Sequence, residues 1–413
     1  MTNSLAKPCS GTAFLVTRTL TVDSLKLEKS RETLVLLGAA HSLNHSLLLA
    51  LPPLLPLIVK ETGASLQAMG LIATAGYFLY GAGALLGGTL SDLLGETRIV
   101  AISLAFAGLS TFIFIVSPSL MGFAIGLVLM SAWASLYHPT ANSLISKTFH
   151  SGMSEAMGIH GIGGSIGQVF APIASVALGM LLGWRIPFVA IGVLCILSSL
   201  LFLRVPFERG KRNREKRDFL MVFKNPGLRS LLVYNMTVGL YFRGTELFFP
   251  TFLVNDRHFP LELAGLAATS ILAAGILGQW LGGKGAKRYG SRRTMIASSV
   301  GVLASFLLLQ TVKDPTISAV AFVALYGVSV YTAQPASNSI TGYITPEEVR
   351  GIVFGVMFFA AFGLGSVSSS LGGFVADRYG LGAVFYLMGF FSLLCLLATF
   401  AVPSEGRSKE SQA

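Results

Sequence analysis

Long apolar gaps between charged residues, rather than any short-period alternation, dominate the pattern of this chain. No Asp, Glu, Lys or Arg occurs within 33–59, 62–91, 156–184, 186–203, 263–283, 294–312, 315–346, 351–376 or 379–404. Each gap is close to or above the roughly 20 apolar residues that an α-helix needs to cross the hydrocarbon core of a bilayer. The gap 99–146 is 48 residues long and is punctuated by Ser117-Pro118-Ser119, a turn signal that divides it into two helices. A further stretch, 227–255, carries Arg229 in its first turn and is otherwise free of charge except for Arg243 and Glu246 in its middle. The expected fold is therefore an all-α membrane protein of twelve transmembrane helices, an even number that puts both termini on one face.

Composition supports this class. Hydrophobic residues make up 53% of the 413 positions and charged residues only 12%, about half the charge of an ordinary soluble domain. The net charge of +11 would suggest nucleic acid in a soluble chain, but membrane topology uses basic loops in the same way. With the termini inside, 24 of the 30 Lys and Arg fall on the inner face and five on the outer, while Arg243 lies within the membrane. Short cytoplasmic loops carry such an excess, so cytoplasmic termini and an inner-membrane location are expected. Residues 1–31 are polar and lack the apolar core of a cleaved signal peptide. Cys9, Cys195 and Cys395 are too scattered for a disulfide framework or a zinc site.

The second half repeats the first. At an offset of 195, Gly70, Thr74, Gly83, Gly87, Gly88, Gly95 and Arg98 meet Gly265, Thr269, Gly278, Gly282, Gly283, Gly290 and Arg293, all identical. At 196, Pro139, Asn142 and Ser143 meet Pro335, Asn338 and Ser339, and at 197, Gly158, Phe188, Gly192 and Pro206 meet Gly355, Phe385, Gly389 and Pro403. The expected units are a cytoplasmic segment 1–31, a six-helix half 32–206, a basic cytoplasmic linker 207–226, a second six-helix half 227–403 and a tail 404–413. Two such halves enclose a midplane site and rock about it.

The stretch GTLSDLLGETR at 88–98 resembles the loop motif of the major facilitator superfamily; it recurs as GKGAKRYGSRR at 283–293 and in degenerate form as GFVADRYG at 373–380. The resemblance covers nearly the whole chain. It implies a gating role for Gly88, Asp92, Gly95 and Arg98 and for Gly283, Arg288, Gly290 and Arg293, with Asp92 latching the cytoplasmic side against a helix N-terminus of the other half. Leu93 and Glu96 stand where the family has basic residues, and Lys287 replaces the aspartate of the second copy, which implies a weaker latch. The bland alternative is tight glycine turns carrying topogenic charge. AHSLNH (40–45) and LYHP (136–139), with the glycine-spaced fifth helix, resemble the fosmidomycin-resistance-type efflux branch, which tends to carry acidic residues where this chain has His45 and Thr140.

Ionisable groups at membrane depth are functional candidates by default. Arg243 and Glu246 share a face of the seventh helix, extended by Asn235 and Gly239, where the guanidinium suits carboxylate or phosphonate and Glu246 could neutralise it or exchange a proton. A permanent structural pair is the alternative. Four of the six histidines, His41, His45, His138 and His160, fall inside spans. His41 and His45 lie four apart with Asn44 nearby, His138 aligns with Asn142, and His160 with Gln168. Gln334 and Asn338 occupy the positions of His138 and Asn142 in the second half. The H-x-x-x-H spacing is that of a zinc-protease helix, but Ser42 stands where the catalytic glutamate belongs, and no metal or other cofactor is expected. Interhelical hydrogen bonding is the bland reading of each histidine; together they suit proton handling. Glycines crowd the fifth helix, as surfaces sliding against the other half or as packing, and Pro52, Pro53, Pro56 and Pro250 are expected to break the outer ends of helices one and seven.

These features predict a secondary active transporter of a small organic solute or drug, anions included, working by alternating access as a proton-coupled efflux antiporter. The absence of a G-x-x-x-x-G-K-[ST] loop disfavours direct ATP drive. The alternatives are a histidine-dependent metal or cation transporter and, from another class, a lipid scramblase or membrane-embedded sensor; an enzyme is not expected. Expected partners are the solute, protons and membrane lipids, with no nucleic acid, and the chain is expected to be a monomer.

Overall fold

Proline, glycine and serine set where the helices begin and end. The computed structural model describes residues 22–149, 153–205, 221–346 and 349–404, with side chains from Ser30 onward except those of Asp92 and Ser154. The Asp92 carboxylate, most of the 207–226 linker, and the segments 1–21 and 405–413 thus lie outside the described residues. The first half contains α1 (Val22–Leu49), α2 (Leu51–Thr62), α3 (Leu66–Leu94), α4 (Glu96–Thr111), α5 (Ile113–Val116), α6 (Leu120–Ala134), α7 (Tyr137–Thr148), α8 (Met153–Leu182) and α9 (Arg185–Leu201). The second contains α10 (Met221–Lys224), α11 (Pro226–Asn255), α12 (Leu261–Tyr289), α13 (Ser291–Thr311), α14 (Pro315–Ile344), α15 (Arg350–Phe362), α16 (Val367–Tyr379) and α17 (Leu381–Thr399). No strand occurs among the described residues.

Eleven stretches among these residues are long and apolar enough to cross a membrane. Several join two helices across a kink. Pro52 and Pro53 have no N–H to donate back along the helix, so the chain steps from α1 into α2 at Ala50 within the span Ser30–Thr62. Pro139 does the same between α6 and α7, and a 3₁₀ turn, Leu364–Ser366, separates α15 from α16. The expected turn at 117–119 is present, with the Ser119 hydroxyl capping α6 by accepting from Gly122 N at 3.0 Å. The remaining expected span coincides with α11, which is 30 residues long but more polar than the eleven. It runs unbroken through Pro250, so the break expected there does not form. The N–H that a proline at 250 lacks would have bonded one carbonyl, and the flanking turns hold the helix without it.

Four turns use the same device. Gly95, Gly183, Gly290 and Gly380 have φ of 91°, 91°, 89° and 85°, a region that L side chains rarely adopt. Gly95 and Gly290 belong to the two full copies of the loop motif and Gly380 to the degenerate one, while Gly183 makes the corresponding turn between α8 and α9. The motif's glycine is thus required by backbone geometry at each junction, whatever the charges beside it do.

The two halves meet along three seams, α3 with α15 and α16, α8 with α12, and α2 with α11. On the first, the backbones touch: a Cβ on Gly81 would lie 2.8 Å from Gly363 Cα, and one on Gly373 2.8 Å from Gln67 Cα. Thr74 donates to Ser366 O at 2.8 Å and accepts from Ser370 N at 3.1 Å. At the tip of the seam the Asp377 carboxylate accepts from Leu66 N and Gln67 N, at 3.0 and 2.9 Å, at the N-terminus of α3, where the free amides and helix dipole favour an anion. Toward the other end the seam parts, and Gly88 and Gly351 would meet nothing within 4 Å. The halves are closed at the Asp377 end and splayed at the end bearing the 88–98 and 283–293 loops.

Two outcomes test this account. Gly183→Ala and Gly380→Ala add a methyl group that meets nothing within 4 Å, so any loss reports backbone strain, expected at about 1–3 kcal/mol each, whereas Gly88→Ala inside a helix should cost nothing; equal melting temperatures for all three variants would contradict it. Asp377→Ala should weaken the closed end by about 1 kcal/mol, read as a longer or broader spin-label distance between residues 64 and 381, and an unchanged distribution would remove Asp377 from the latch.

Candidate functional site

Two polar clusters lie between the closed end and the splayed end. The first is built by α1, α7 and α8. Small residues bring α1 and α8 into backbone contact: a Cβ on Gly163 would lie 2.6 Å from Gly38 Cα, and one on Gly167 2.6 Å from Ser42 Cα. Gly164 makes room for the His41 ring, whose two nitrogens would be 2.7 Å from an added methyl. These glycines of the fifth span therefore pack within their own half rather than across to the other.

Their closeness seats four histidines together. His41 stacks on His160 with ring centroids 4.1 Å apart and lies 4.8 Å from His45 and 5.0 Å from His138. The proton positions follow from the hydrogen bonds. Tyr137 donates its only hydroxyl proton to Leu37 O at 2.5 Å, so the His160 Nε2, 3.1 Å from that hydroxyl, must donate to it. His41 Nδ1 faces the His160 carbonyl at 2.8 Å and must carry a proton. In the neutral ring this leaves a lone pair on His41 Nε2, which faces His45 Nε2 at 3.1 Å, and the Gln168 amide lies 3.2 Å from the same His45 atom. His138 packs against Tyr80, Tyr137 and Phe358 but makes no hydrogen bond to a described residue. Asn44 is fully buried, donating to Ala134 O and accepting from Tyr80, each at 2.9 Å.

The second cluster centres on α11. Arg243 is buried, and its Nη1 donates to Glu246 Oε2 at 2.5 Å. Its guanidinium lies over the rings of Phe362 at 4.0 Å, Phe242 at 4.7 Å and Tyr77 at 5.4 Å, so residues of both halves enclose it. The Nε has no hydrogen-bond partner among the described residues. Beyond Glu246 lies a small cavity of about 40 Å³ between the halves, walled by Leu49, Pro52, Pro53, Pro172, Phe242, Phe249, Pro250, Ala268, Ile271 and Leu272. The polar groups on its wall are Thr245, Tyr326 and Glu246, and Glu246 is the one with a charge.

The other expected site residues are not drawn into either cluster. Asn142 and Asn338 are exposed, Gln334 is exposed and lies 3.4 Å from Gln279, and Asn235 bonds back to Leu231 O at 2.8 Å. Of the gating set, Gly88 and Gly283 border open space, Gly95 and Gly290 make the strained turns, Arg98 and Arg293 are exposed, and Arg288 stacks 5.2 Å from Tyr289. Glu96, which replaces a basic residue of the motif, is buried and holds Lys147 and Ser143 of α7 within its own half. The described interhalf latch is Asp377 of the degenerate copy, at the opposite end of the molecule from Asp92. The motif match contained the signal, since both aspartates stand four residues after the motif's first glycine.

A helical bundle of membrane-length spans, duplicated about a central polar site, defines a membrane transporter. The Major Facilitator Superfamily model matches residues 34–370, and the chain belongs to that family. It is 24% identical over 375 residues to the multidrug efflux pump Tap of Mycolicibacterium fortuitum, spanning 84% of this chain and 90% of that protein. It is 21% identical over 408 residues to the hexuronate transporter of Bacillus subtilis (strain 168), spanning 92% and 96%. Among solved structures it resembles a bacterial homolog of the human lysosomal transporter Spinster in an inward-facing, occupied conformation, with a TM-score of 0.78 at 15% identity over 90% of this chain and 96% of that one. The nucleoside transporter NupG gives 0.75 at 16% identity over 90% and 98%. The fold is that of these transporters, and the protein is a multi-pass integral membrane protein, not an enzyme.

The Tyr137 hydroxyl anchors the histidine array to the backbone of α1. Tyr137→Phe removes both of its hydrogen bonds in a buried setting and should lower stability by about 1–3 kcal/mol; an unchanged melting temperature in detergent would show that the array stands without it.

Proposed function

We propose that the chain is a proton-coupled efflux transporter for a small, largely apolar organic solute, carried across the cytoplasmic membrane by alternating access. The proposed topology has α11 as the twelfth crossing, both termini and the basic linker cytoplasmic, the halves 32–206 and 227–403 as rocking units, and a monomer in contact with lipid. In that orientation the closed end faces outward and the splayed end the cytoplasm.

The observation that carries this reading is the apolar interhalf pocket with a single carboxylate on its wall. Its lining, apolar with one convergent charged group, is the kind that binds small organic molecules, and admitting a drug-sized one requires the halves to part further there. A solute seated there and a proton arriving at Glu246 compete for the same group, and such competition is the physical basis of exchange. Arg243 keeps Glu246 oriented and compensates its charge at membrane depth, where an isolated carboxylate is costly. The efflux activity named for Tap supports this direction.

Arg243 favours a second reading. Its unpaired Nε leaves part of the guanidinium fork available to a carboxylate, as the anion named for the hexuronate transporter would provide. An anion displacing Glu246 would leave that carboxylate uncompensated and inclined to take a proton. Anion and proton then load together, which produces co-transport rather than exchange.

Proteoliposomes under an imposed pH gradient separate the two. Glu246→Gln should reduce proton-driven movement of a fluorescent lipophilic cation at least tenfold, with Arg243→Lys retaining most of it. Gradient-driven uptake of a hexuronate, lost in Arg243→Ala, would select the anion reading, and full lipophilic-cation transport by Glu246→Gln would sink the first.

A further inference from the structure

The histidine array has a geometry that neither reading of the transport site uses. His41, His45 and His138 each offer a ring nitrogen, and these three atoms lie within 4.8 Å of one another. We propose that they form a binding site for a divalent transition-metal ion of the Zn²⁺, Cu²⁺ or Ni²⁺ type, held by three imidazoles in the wall of the first half.

Three observations carry it. First, His41 and His45 face each other through Nε2 atoms 3.1 Å apart. A tetrahedral ion with nitrogens at about 2.0–2.1 Å holds its ligands about 3.3 Å from each other, so the pair is already at ligand spacing and the shared hydrogen occupies the place of the ion. Second, the His41 ring is oriented as metal-bearing histidines are: its Nδ1–H is donated to a backbone carbonyl, that of His160 at 2.8 Å, which presents the Nε2 lone pair inward. Third, His138 has no hydrogen bond to give up, and closing from 4.8 Å to ligand spacing asks about 1.5 Å of ring movement. Gln168, 3.2 Å from His45 Nε2, stands beside the fourth position, which its amide or a water would fill.

Ligand chemistry selects the ion. Three neutral imidazoles without a carboxylate disfavour Mg²⁺ and Ca²⁺, which take oxygen ligands, and suit zinc, copper and nickel. For the ion to bind, His45 must shift its proton from Nε2 to Nδ1, and any proton beyond the neutral count must leave, so ion and protons compete for the same atoms. The site shares no residue with the lining of the solute pocket, and neither Arg243 nor Glu246 is among its ligands.

The test uses purified, full-length protein without an affinity tag, titrated with Cu²⁺ and followed by electron paramagnetic resonance, with Zn²⁺ competition. One Cu²⁺ per chain with imidazole-nitrogen splitting is expected. His138→Phe keeps the ring packing and removes no hydrogen bond; it should weaken binding at least tenfold while the protein stays monodisperse. His45→Asn should do the same, and His258→Asn, away from the array, should leave binding unchanged. Retained affinity in both array variants, or loss in His258→Asn instead, would overturn the site, as would no stoichiometric binding by the unaltered protein. Binding that survives Arg243→Ala and Glu246→Gln keeps this outcome separate from any failure of the transport proposal.

Discussion

Helices without bulky side chains between them can approach until their backbones touch, and in a bilayer such packing takes the place of the hydrophobic drive that water supplies. The seam between α3 and α15–α16 depends on this. Gly70, Gly81 and Gly373 abut main-chain atoms of the facing helix, and the approach brings Thr74 within reach of Ser366 and Ser370. Asp377 then reaches the amides at the start of α3. Contact at this end, with separation at the other, determines which mouth of the central space is open. It also brings Tyr77 from one half and Phe362 from the other over Arg243.

The duplicated halves do not contribute equally. Thr74 bonds across its seam, whereas its counterpart Thr269 on α12 has a hydroxyl without a hydrogen-bond partner among the described residues. The polar seam can therefore act as a specific latch, while the α8–α12 seam rests on packing, as where Gly265 faces Val176. The site is divided in the same way. All the histidines of the array come from the first half, and the charged pair comes from the second. Sequence divergence between the halves has placed ring nitrogens on one wall and charge on the other.

Much of this architecture was legible along the chain. Spans follow from the spacing of charge, because a bare charge in hydrocarbon is costly. The kink before Pro52 follows from a missing N–H, and the turn before Leu120 from a serine cap. The motif glycines mark positive-φ turns, and the repeat offset pointed to equivalent places in both halves. The uninterrupted course of α11 through Pro250 was not legible, because whether a proline ends a helix depends on whether neighbouring turns can hold it.

Sequence alone determined which polar groups lie at membrane depth and which share a helical face, since periodicity relates residues on one helix. The phase of one helix against another is absent from that information. Packing of Gly163, Gly164 and Gly167 against α1, too close to admit a methyl group on any of the three, brought His160 beneath His41 and let His138 complete the group from α7. Packing also left Asn142, Gln334 and Asn338 outside it and put the described latch at Asp377. Such convergence depends on interhelical distances of a few ångströms, and only the tertiary structure supplies them.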